Sequence, residues 1–394
     1  MQFMRFRNLK RNLMFALTAG LLSFSIVGAS GAEELSVEIE PQTMYPEEGV
    51  ALSEETVLLG LDVFEADDPL VADEELLLNK SLLNETELYT ENNTPEVESW
   101  KAPQRSINKA KRGQVLRLTE DITAPEHGAG LIIPRNKTVT LDLAGHALDR
   151  GLNVETVNGY AILVRGKLTV IDSSEYKTGK ITGGYNSRHG GAIIVKKNGT
   201  LRLKGGSLSG NMSSGCGGAV YVQSGGSFKM SGGRIEKNRC DESGGGIYIT
   251  RGSFKLNSGE ITDNASMKNG GAICVVRSEV ALLNGVIANN TAGNTGGGVY
   301  ALKGTLSMGG ASIKANRASF GGGAYVSKSN FSMRRGSISK NTADNRGGGV
   351  LFCDSKIKIS DSPVIAENLC MLSGTGEPNN AYIEKRLSSR LVVR

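Results

Sequence analysis

Apolar residues recur along residues 190–370 in a pattern that repeats about every 26 positions. Each repeat opens with a glycine pair or triplet and continues with alternating apolar residues, as in Gly217-Gly218-Ala219-Val220-Tyr221-Val222. The third small residue of each opening recurs at intervals of 25 to 27 residues, at Ala192, Ala219, Gly246, Ala272, Gly298, Gly323 and Gly349. A fixed period of this length indicates a repeat architecture.

Two further markers keep the same period. Alternating apolar pairs follow each glycine opening, at Leu201/Leu203, Phe228/Met230, Phe254/Leu256, Val280/Leu282, Leu306/Met308, Phe331/Met333 and Ile357/Ile359. An apolar residue then precedes an asparagine by three positions, at Leu208/Asn211, Ile235/Asn238, Ile261/Asn264, Ile287/Asn290, Ile313/Asn316, Ile338/Asn341 and Ile365/Asn368. Alternation with a period of two predicts short strands, and none of these segments has room for a helix.

Three short strands cannot enclose a core by themselves, so successive repeats must stack on one another. The sequence therefore predicts a parallel β-helix in which first-strand residues such as Ile193 and Val195 point inward. The repeated asparagine suits a corner of each rung, where its amide can bond to the asparagines above and below. We expect that asparagine column to be structural.

Composition divides the chain into segments of different charge. Residues 1–32 carry four basic groups, no acid, an apolar stretch and small residues before position 33, which predicts a cleaved signal peptide. Residues 33–100 hold 20 acidic residues against Lys80 alone, whereas residues 101–394 have a net charge of +20. Such an acidic, aromatic-poor segment favours disorder.

The predicted domain organisation follows from these patterns. It comprises a signal peptide (1–32), a largely disordered acidic linker or pro-segment (33–103), degenerate N-terminal capping rungs (104–189), regular β-helix repeats (190–370) and a C-terminal cap (371–394). No stretch of the mature chain approaches ~20 apolar residues, so no transmembrane segment is predicted. We expect a secreted or cell-surface protein.

The chain has five cysteines and no CxxC motif, so we predict neither a metal site nor a cofactor. Cys216 and Cys240 follow the repeated asparagine in successive repeats, which makes them a candidate disulfide in an exported protein. The alternative is that they are packed free thiols.

The glycine-pair strand Gly190-Gly191-Ala192-Ile193 with its later Ile-x-x-Asn resembles the GGAI/FxxN repeats of chlamydial polymorphic membrane proteins, with Ile or Leu in place of Phe. Residues 140–146 and 179–184 resemble the opening rungs of exported bacterial β-helix proteins of the pectate-lyase-like superfamily. The resemblance covers residues 113–383 and implies a right-handed solenoid. The superfamily includes lyases, hydrolases, adhesins and autotransporter passengers, so it is specific for fold and uninformative about function.

The complete fold prediction is an all-β, right-handed parallel β-helix of about 10 rungs, each with three short strands and about 26 residues, after a disordered acidic segment. Polysaccharide enzymes of this fold need carboxylates on adjacent outward positions. The central outward positions of the first and second strands carry none.

The best remaining acid–base constellation is Asp142, His146 and Asp172 in the first rungs. The alternative is that both aspartates cap turns and His146 packs beside them. We therefore favour a non-enzymatic binding or structural surface module, with a polysaccharide lyase or glycoside hydrolase in the N-terminal rungs as the alternative function.

Two features predict a binding surface on the rod. A column of Tyr221, Tyr248, Tyr300 and Tyr325 is predicted to form an exposed aromatic strip, for which the alternative is a stabilising cross-strand ladder. A basic face includes Lys196, Arg202, Lys229 and Lys255, for which the alternative is a solvated, edge-protecting surface.

The predicted partners are a glycan or anionic cell-surface polymer, or a host or neighbouring-cell protein. Nucleic acid is disfavoured, because aromatic residues are not interleaved with the basic ones.

Overall fold

The fold is seen in a computed structural model, which describes residues 13–18, 21–26, 35–36, 95–112, 114–371, 376–384 and 391–393. Most of the described chain forms a right-handed parallel β-solenoid of about ten turns, as the sequence predicts. Each turn of the solenoid is called a rung. Rungs are numbered by their first strand. At the spacing of about 4.8 Å between neighbouring strands, ten rungs form a rod of roughly 48 Å.

The first strands of the rungs form a ten-stranded parallel sheet, called sheet 1. Its members are β6 (Leu131–Ile133), β9 (Ile162–Val164), β13 (Ile193–Val195), β17 (Val220–Val222), β20 (Ile247–Thr250), β23 (Ile273–Val276), β27 (Val299–Leu302), β31 (Ala324–Ser327), β35 (Val350–Cys353) and β40 (Ala381–Glu384).

The second and third strands of each rung form a larger sheet, called sheet 2. The second strands are β4 (Val115–Arg117), β7 (Thr138–Asp142), β10 (Lys167–Ile171), β14 (Thr200–Leu203), β24 (Glu279–Leu282), β28 (Thr305–Met308), β32 (Asn330–Met333), β36 (Lys356–Ile359) and β41 (Leu391–Val393). The third strands are β5 (Ile122–Thr123), β8 (Ala147–Asp149), β11 (Lys180–Thr182), β15 (Ser207–Ser209), β25 (Val286–Ala288), β29 (Ser312–Lys314), β33 (Ser337–Ser339) and β37 (Val364–Ala366). Two long strands, β18 (Ser227–Glu236) and β21 (Ser253–Thr262), run through both positions.

A fourth short strand follows the repeated asparagine and was not predicted from the sequence. These strands form sheet 3, with β12 (Tyr185–Asn186), β16 (Met212–Ser213), β19 (Arg239–Cys240), β22 (Ala265–Ser266), β26 (Thr291–Ala292), β30 (Arg317–Phe320), β34 (Thr342–Arg346), β38 (Leu369–Cys370) and β39 (Glu377–Pro378). Most of them have only two residues, too few for alternation to be visible.

The interior of the coil is a continuous apolar core. Inward residues of sheet 1 such as Ile193 and Val195 are fully buried and pair in register with Val220 and Val222. The predicted inward positions are therefore confirmed. Each buried aliphatic side chain contributes about 1.5–3 kcal/mol through the hydrophobic effect.

The repeated asparagine forms the predicted ladder. The Oδ1 of Asn290 accepts hydrogen bonds from the backbone N–H of Asn264 (2.9 Å) and from its Nδ2 (3.0 Å). In turn the Nδ2 of Asn290 lies 2.9 Å from the Oδ1 of Asn316 and 2.9 Å from the carbonyl oxygen of Ile261. The same bonds link Asn211, Asn238, Asn264, Asn290, Asn316, Asn341, Asn368 and Asn380. The asparagine column thus satisfies buried backbone groups at the third corner of each rung.

The glycine pair has two separate functions. Gly244 has a φ of 75°, a left-handed conformation that favours glycine and lets the chain turn into β20. Gly245 has no space for a side chain, because a Cβ there would overlap the carbonyl oxygens of Ala265 and Gly271. The pair therefore permits both the turn and the close approach of neighbouring rungs.

A helix closes the N-terminal end of the solenoid. Helix α1 (Pro95–Lys109) buries Trp100 and Ile107 against the core. The side-chain amide of Gln104 accepts the N–H of Ile132 (2.7 Å) and donates to its carbonyl oxygen (3.1 Å). Gln104 thus forms hydrogen bonds with the N–H and carbonyl groups at the edge of β6, as the backbone of a neighbouring strand would.

The predicted boundary between linker and fold is displaced by this helix. Pro103 lies inside α1, so the folded part begins at or before Pro95 rather than at residue 104. The remainder of the acidic linker (33–103) lies outside the described residues, apart from β3 (Leu35–Ser36), which pairs with β41. Within the predicted signal peptide, β1 (Leu13–Thr18) and β2 (Leu21–Ile26) form an antiparallel pair.

We predict that Asn290→Ala lowers the free energy of unfolding by about 3 kcal/mol, because several buried polar groups lose their partner and each costs about 1–3 kcal/mol. Urea unfolding followed by circular dichroism measures the change. Asn330→Ala is the matched control, since Asn330 is exposed on the outer face of β32. Equal unfolding curves for the two variants would contradict a stabilising ladder.

Candidate binding surface

The predicted exposure of the tyrosine column is wrong. Only 8% of Tyr221, 8% of Tyr248 and 1% of Tyr300 is exposed, and Tyr325 is partly buried. The outward residues of sheet 1 form a second apolar cluster, which also includes Leu163, Ile194, Cys274, Val276 and Leu302. Sequence alternation alone suggested that these positions face solvent.

Two residues that directly precede glycine pairs cover one end of the tyrosine column. The ring of His189, before Gly190, stacks on Tyr221 with centroids 4.6 Å apart, and Cys216, before Gly217, packs against the cluster. The ring pairs Tyr221–Tyr248 and Tyr300–Tyr325 are also stacked, at 5.4 and 5.6 Å. This geometry matches the cross-strand ladder that was the alternative to a docking strip.

His189 was not singled out from the sequence, and it is a partly buried titratable group that stacks on this cluster. Its Nδ1 accepts the backbone N–H of Cys216 at 2.9 Å. Burial, helped by the positive charges of Arg188 and Lys196, lowers the pKa of His189 to about 4. The imidazole is therefore neutral at physiological pH and serves as an aromatic packing group.

The predicted disulfide is not formed, since Cys216 and Cys240 are both free thiols. Cys240 occupies a fully buried position in sheet 3 at which small residues, Ser213 and Ser266, occur in the adjacent rungs. Cys216 lies three residues beyond Ser213, beside the tyrosine column. Burial raises the pKa of Cys216 to about 12, which disfavours the reactive thiolate.

Asp142 and Asp172 lie at a corner of sheet 2 where their carboxylates accept backbone hydrogen bonds. Asp142 Oδ1 accepts the N–H groups of Ala144 (3.1 Å) and Ser173 (2.8 Å). Asp172 accepts those of Gly145 (2.9 Å) and Gly179 (2.8 Å). Both are turn-capping acceptors, which is the alternative stated for them above.

Hydrogen bonding also decides the protonation of Asp172. Burial acts to raise the pKa of this carboxyl, but hydrogen bonds from the hydroxyl of Ser174 and from three backbone N–H groups outweigh it and hold the pKa below its usual value. Asp172 is therefore charged at neutral pH and unsuited to donating a proton.

His146 is separate from these bonds. Its Nδ1 lies 3.3 Å from Oδ1 of Asp121, whose side chain is exposed, and about a third of the His146 side chain is accessible. A catalytic role for Asp142, His146 and Asp172 stays a prediction, and none of these contacts favours it. Within the described residues, no three His, Cys, Asp or Glu side chains are grouped as a metal site.

The basic residues form an ordered column on the outer face of sheet 2. Arg202 pairs in register with Lys229, and Lys229 pairs with Lys255, in three consecutive rungs. Lys229 and Lys255 are exposed and Arg202 is partly exposed. Like charges directly opposite each other on neighbouring strands destabilise a sheet, so this arrangement has an energetic cost.

A second column of basic residues lies at the corner between sheet 1 and sheet 2, and it was not predicted from the sequence. Arg251, Arg277, Lys303 and Lys328 each directly follow a first strand in rungs 5 to 8. Their φ angles are 47°, 50°, 51° and 48°, in a left-handed conformation that would suit glycine or asparagine better. The available signal was a Lys or Arg before Gly or Ser in each of these repeats.

The two columns meet in rung 5, which contains both Lys255 and Arg251. Together they place a basic residue in each of rungs 3 to 8; we call this set the basic track and define it as Arg202, Lys229, Lys255, Arg251, Arg277, Lys303 and Lys328. Lys196 lies at the same corner in rung 3. Glu279 is an exposed acid beside the track, two residues after Arg277.

Other cations of the rod are paired with acids of the next rung. Arg317 contacts Asp344 at 2.7 Å, and Lys268 contacts Glu242 at 2.7 Å. Among the described residues, no acidic side chain lies within ion-pair distance of Arg202, Lys229, Lys255, Arg251, Arg277 or Lys303. From Arg202 in rung 3 to Lys303 in rung 7, the basic track is therefore a band of positive charge without an acidic partner among the described residues.

Comparison with protein families, with curated proteins and with solved structures found no match. No helix within the described ranges is long and apolar enough to cross a membrane. The site must therefore be interpreted from its own geometry.

We predict that acid destabilises the fold through His189. Its folded pKa of about 4 lies below the unfolded value near 6.5, so the unfolded chain binds more protons between these values. Stability should therefore fall as pH drops from about 6.5 to about 4, by at most about 3 kcal/mol.

The measurement is urea unfolding at a series of pH values. His189→Asn retains an acceptor for the Cys216 N–H and should flatten this part of the profile. His127→Gln removes an exposed imidazole and should leave the profile unchanged. Parallel profiles for wild type and His189→Asn would show that His189 is not the responsible group.

Proposed function

We propose that this protein is an exported surface module that binds a linear anionic polymer, such as an acidic glycan, along the basic track. The observation that carries the proposal is the run of cations without an acidic partner through five consecutive rungs, from Arg202 in rung 3 to Lys303 in rung 7. Because the track costs stability through like-charge repulsion, a ligand that neutralises it gives a physical reason for its presence. An acidic polymer lying parallel to the rod would meet a new cation about every 4.8 Å.

Export is supported by the basic and apolar N-terminus, which has the pattern of a signal peptide. The likeness of the glycine-pair repeats to chlamydial polymorphic membrane proteins, and of the first rungs to pectate-lyase-like proteins, supports the same location. On a secreted or cell-surface protein, anionic polymers of cell walls and host matrices are the accessible polyanions.

Binding without catalysis is favoured by the same geometry. Asp142 and Asp172 are held as acceptors for backbone N–H groups, and Glu279 lies beside the track with no acidic residue opposite it in the neighbouring strands, where Ser253 and Thr305 are its partners. Glycoside hydrolysis needs two carboxylates about 5–10 Å apart across the scissile bond. The track instead consists of basic side chains, which suit electrostatic binding of an anionic polymer.

We predict that Lys229→Gln combined with Lys255→Gln weakens binding to heparin, used as a model polyanion, about 3- to 10-fold. Each exposed pair contributes about 0–1 kcal/mol, and a tenfold change corresponds to 1.4 kcal/mol. Elution from a heparin column at a series of salt concentrations measures the effect. The difference should diminish at high salt, where the Debye length is about 3 Å.

Lys237→Gln is the matched control. It removes one exposed charge in rung 4 at the opposite corner, beside the asparagine ladder, and should not change retention. If Lys237→Gln weakens retention as much as either track substitution does alone, binding depends on net charge and the proposal is wrong. A separate pair, Arg277→Gln with Lys303→Gln, should reproduce the loss if the whole track is used.

A further inference from the structure

A cavity of about 390 Å³ lies at the N-terminal end of the basic track, where the chain leaves α1 and enters the first rungs. Among the described residues that line it, four are basic and none is acidic. The basic residues are Arg112, Arg135, Lys137 and Lys167. The volume falls in the range of about 300–1,000 Å³ that is usual for small-molecule sites.

The backbone of the first rungs holds two of these cations side by side. Thr138 of β7 pairs in register with Lys167 of β10, and the N–H of Lys167 donates to the carbonyl oxygen of Lys137 at 2.9 Å. A turn closed by the Lys137 N–H and the Pro134 carbonyl oxygen (3.0 Å) precedes β7. The wall of the cavity is therefore part of the rigid solenoid.

One of the four cations, Lys137, is also hydrogen-bonded at the helix end. The Nζ of Lys137 donates to the carbonyl oxygen of Ala110, just after α1, at 3.0 Å. This contact offsets the partial negative charge that a helix carries at its C-terminus. An ammonium group has three N–H donors, so two remain for a ligand.

We propose that this cavity binds a sugar that carries a phosphate or sulfate ester. Four cations with no acid favour a group with several charged oxygens over a single carboxylate, and arginine forks match such oxyanions in a bidentate way. The side chains of Asn136 and Thr138 also line the cavity and supply polar groups for the sugar hydroxyls. The site is separate from the basic track and does not depend on the function proposed for it.

Isothermal titration of the full chain with glucose 6-phosphate, glucose 6-sulfate, glucuronate and glucose tests the ligand class. We expect the phosphate and sulfate esters to bind more tightly than glucuronate, and glucose not to bind. The two ester arms distinguish a phosphorylated from a sulfated sugar. Glucuronate or glucose binding as tightly as both esters, or no binding by either ester, would overturn the proposal.

Substitutions locate the site. Arg135→Gln and Lys167→Gln should each weaken binding of the better ester about tenfold, the usual effect of losing one hydrogen bond to a charged group. Both residues are exposed, and thermal melting verifies that the variants fold. Lys237→Gln, which removes an exposed charge outside both the cavity and the track, is the matched control and should leave ester affinity unchanged.

Unchanged ester affinity in both cavity variants would overturn the assignment, whatever happens to heparin retention. Conversely, if only the Lys229→Gln, Lys255→Gln protein loses heparin retention, the result supports binding along the basic track. It does not bear on the cavity, which is tested by titration with the sugar esters. The two proposals can therefore fail separately.

Discussion

Parallel pairing in register is the constraint on which this structure depends. Each residue of a rung faces its counterpart one strand away, as Val220 faces Ile247 and Ile273 faces Val299. Every position must therefore hold a residue that packs well against a similar residue. Aliphatic side chains meet this condition in the core, and asparagine meets it at the corner because its amide both donates and accepts.

The same constraint makes surface charge informative. A cation next to an acid in the adjoining rung is a stabilising pair, as between Arg317 and Asp344. A cation next to another cation is not, and Arg202, Lys229 and Lys255 follow one another without an acid between them. The rod has both arrangements, so the basic track is not an unavoidable result of stacking.

Burial of the outer face of sheet 1 restricts where a ligand can bind. Tyr221, Tyr248 and Tyr300 are buried there in a second apolar cluster against which Cys216 packs, so they do not form a docking strip. The open surfaces that remain include the outer face of sheet 2 and its corners. The basic track and the cationic cavity both lie there, in neighbouring rungs.

The solenoid, its period, its inward residues and the asparagine column could all be predicted from the sequence, because each is a repeated local pattern that must match itself one rung away. The same pattern identified Arg202, Lys229 and Lys255 as basic outward residues. Which outward faces are exposed could not be predicted, because alternation distinguishes two faces of a strand without indicating what packs against each, and the residues that pack on the tyrosines, His189 and Cys216, belong to no repeated pattern. The helix that closes β6 through Gln104, and the cavity that joins residues from α1 to rung 2, likewise depend on contacts between segments distant in the chain. Their residues carry no local pattern from which such contacts could be deduced.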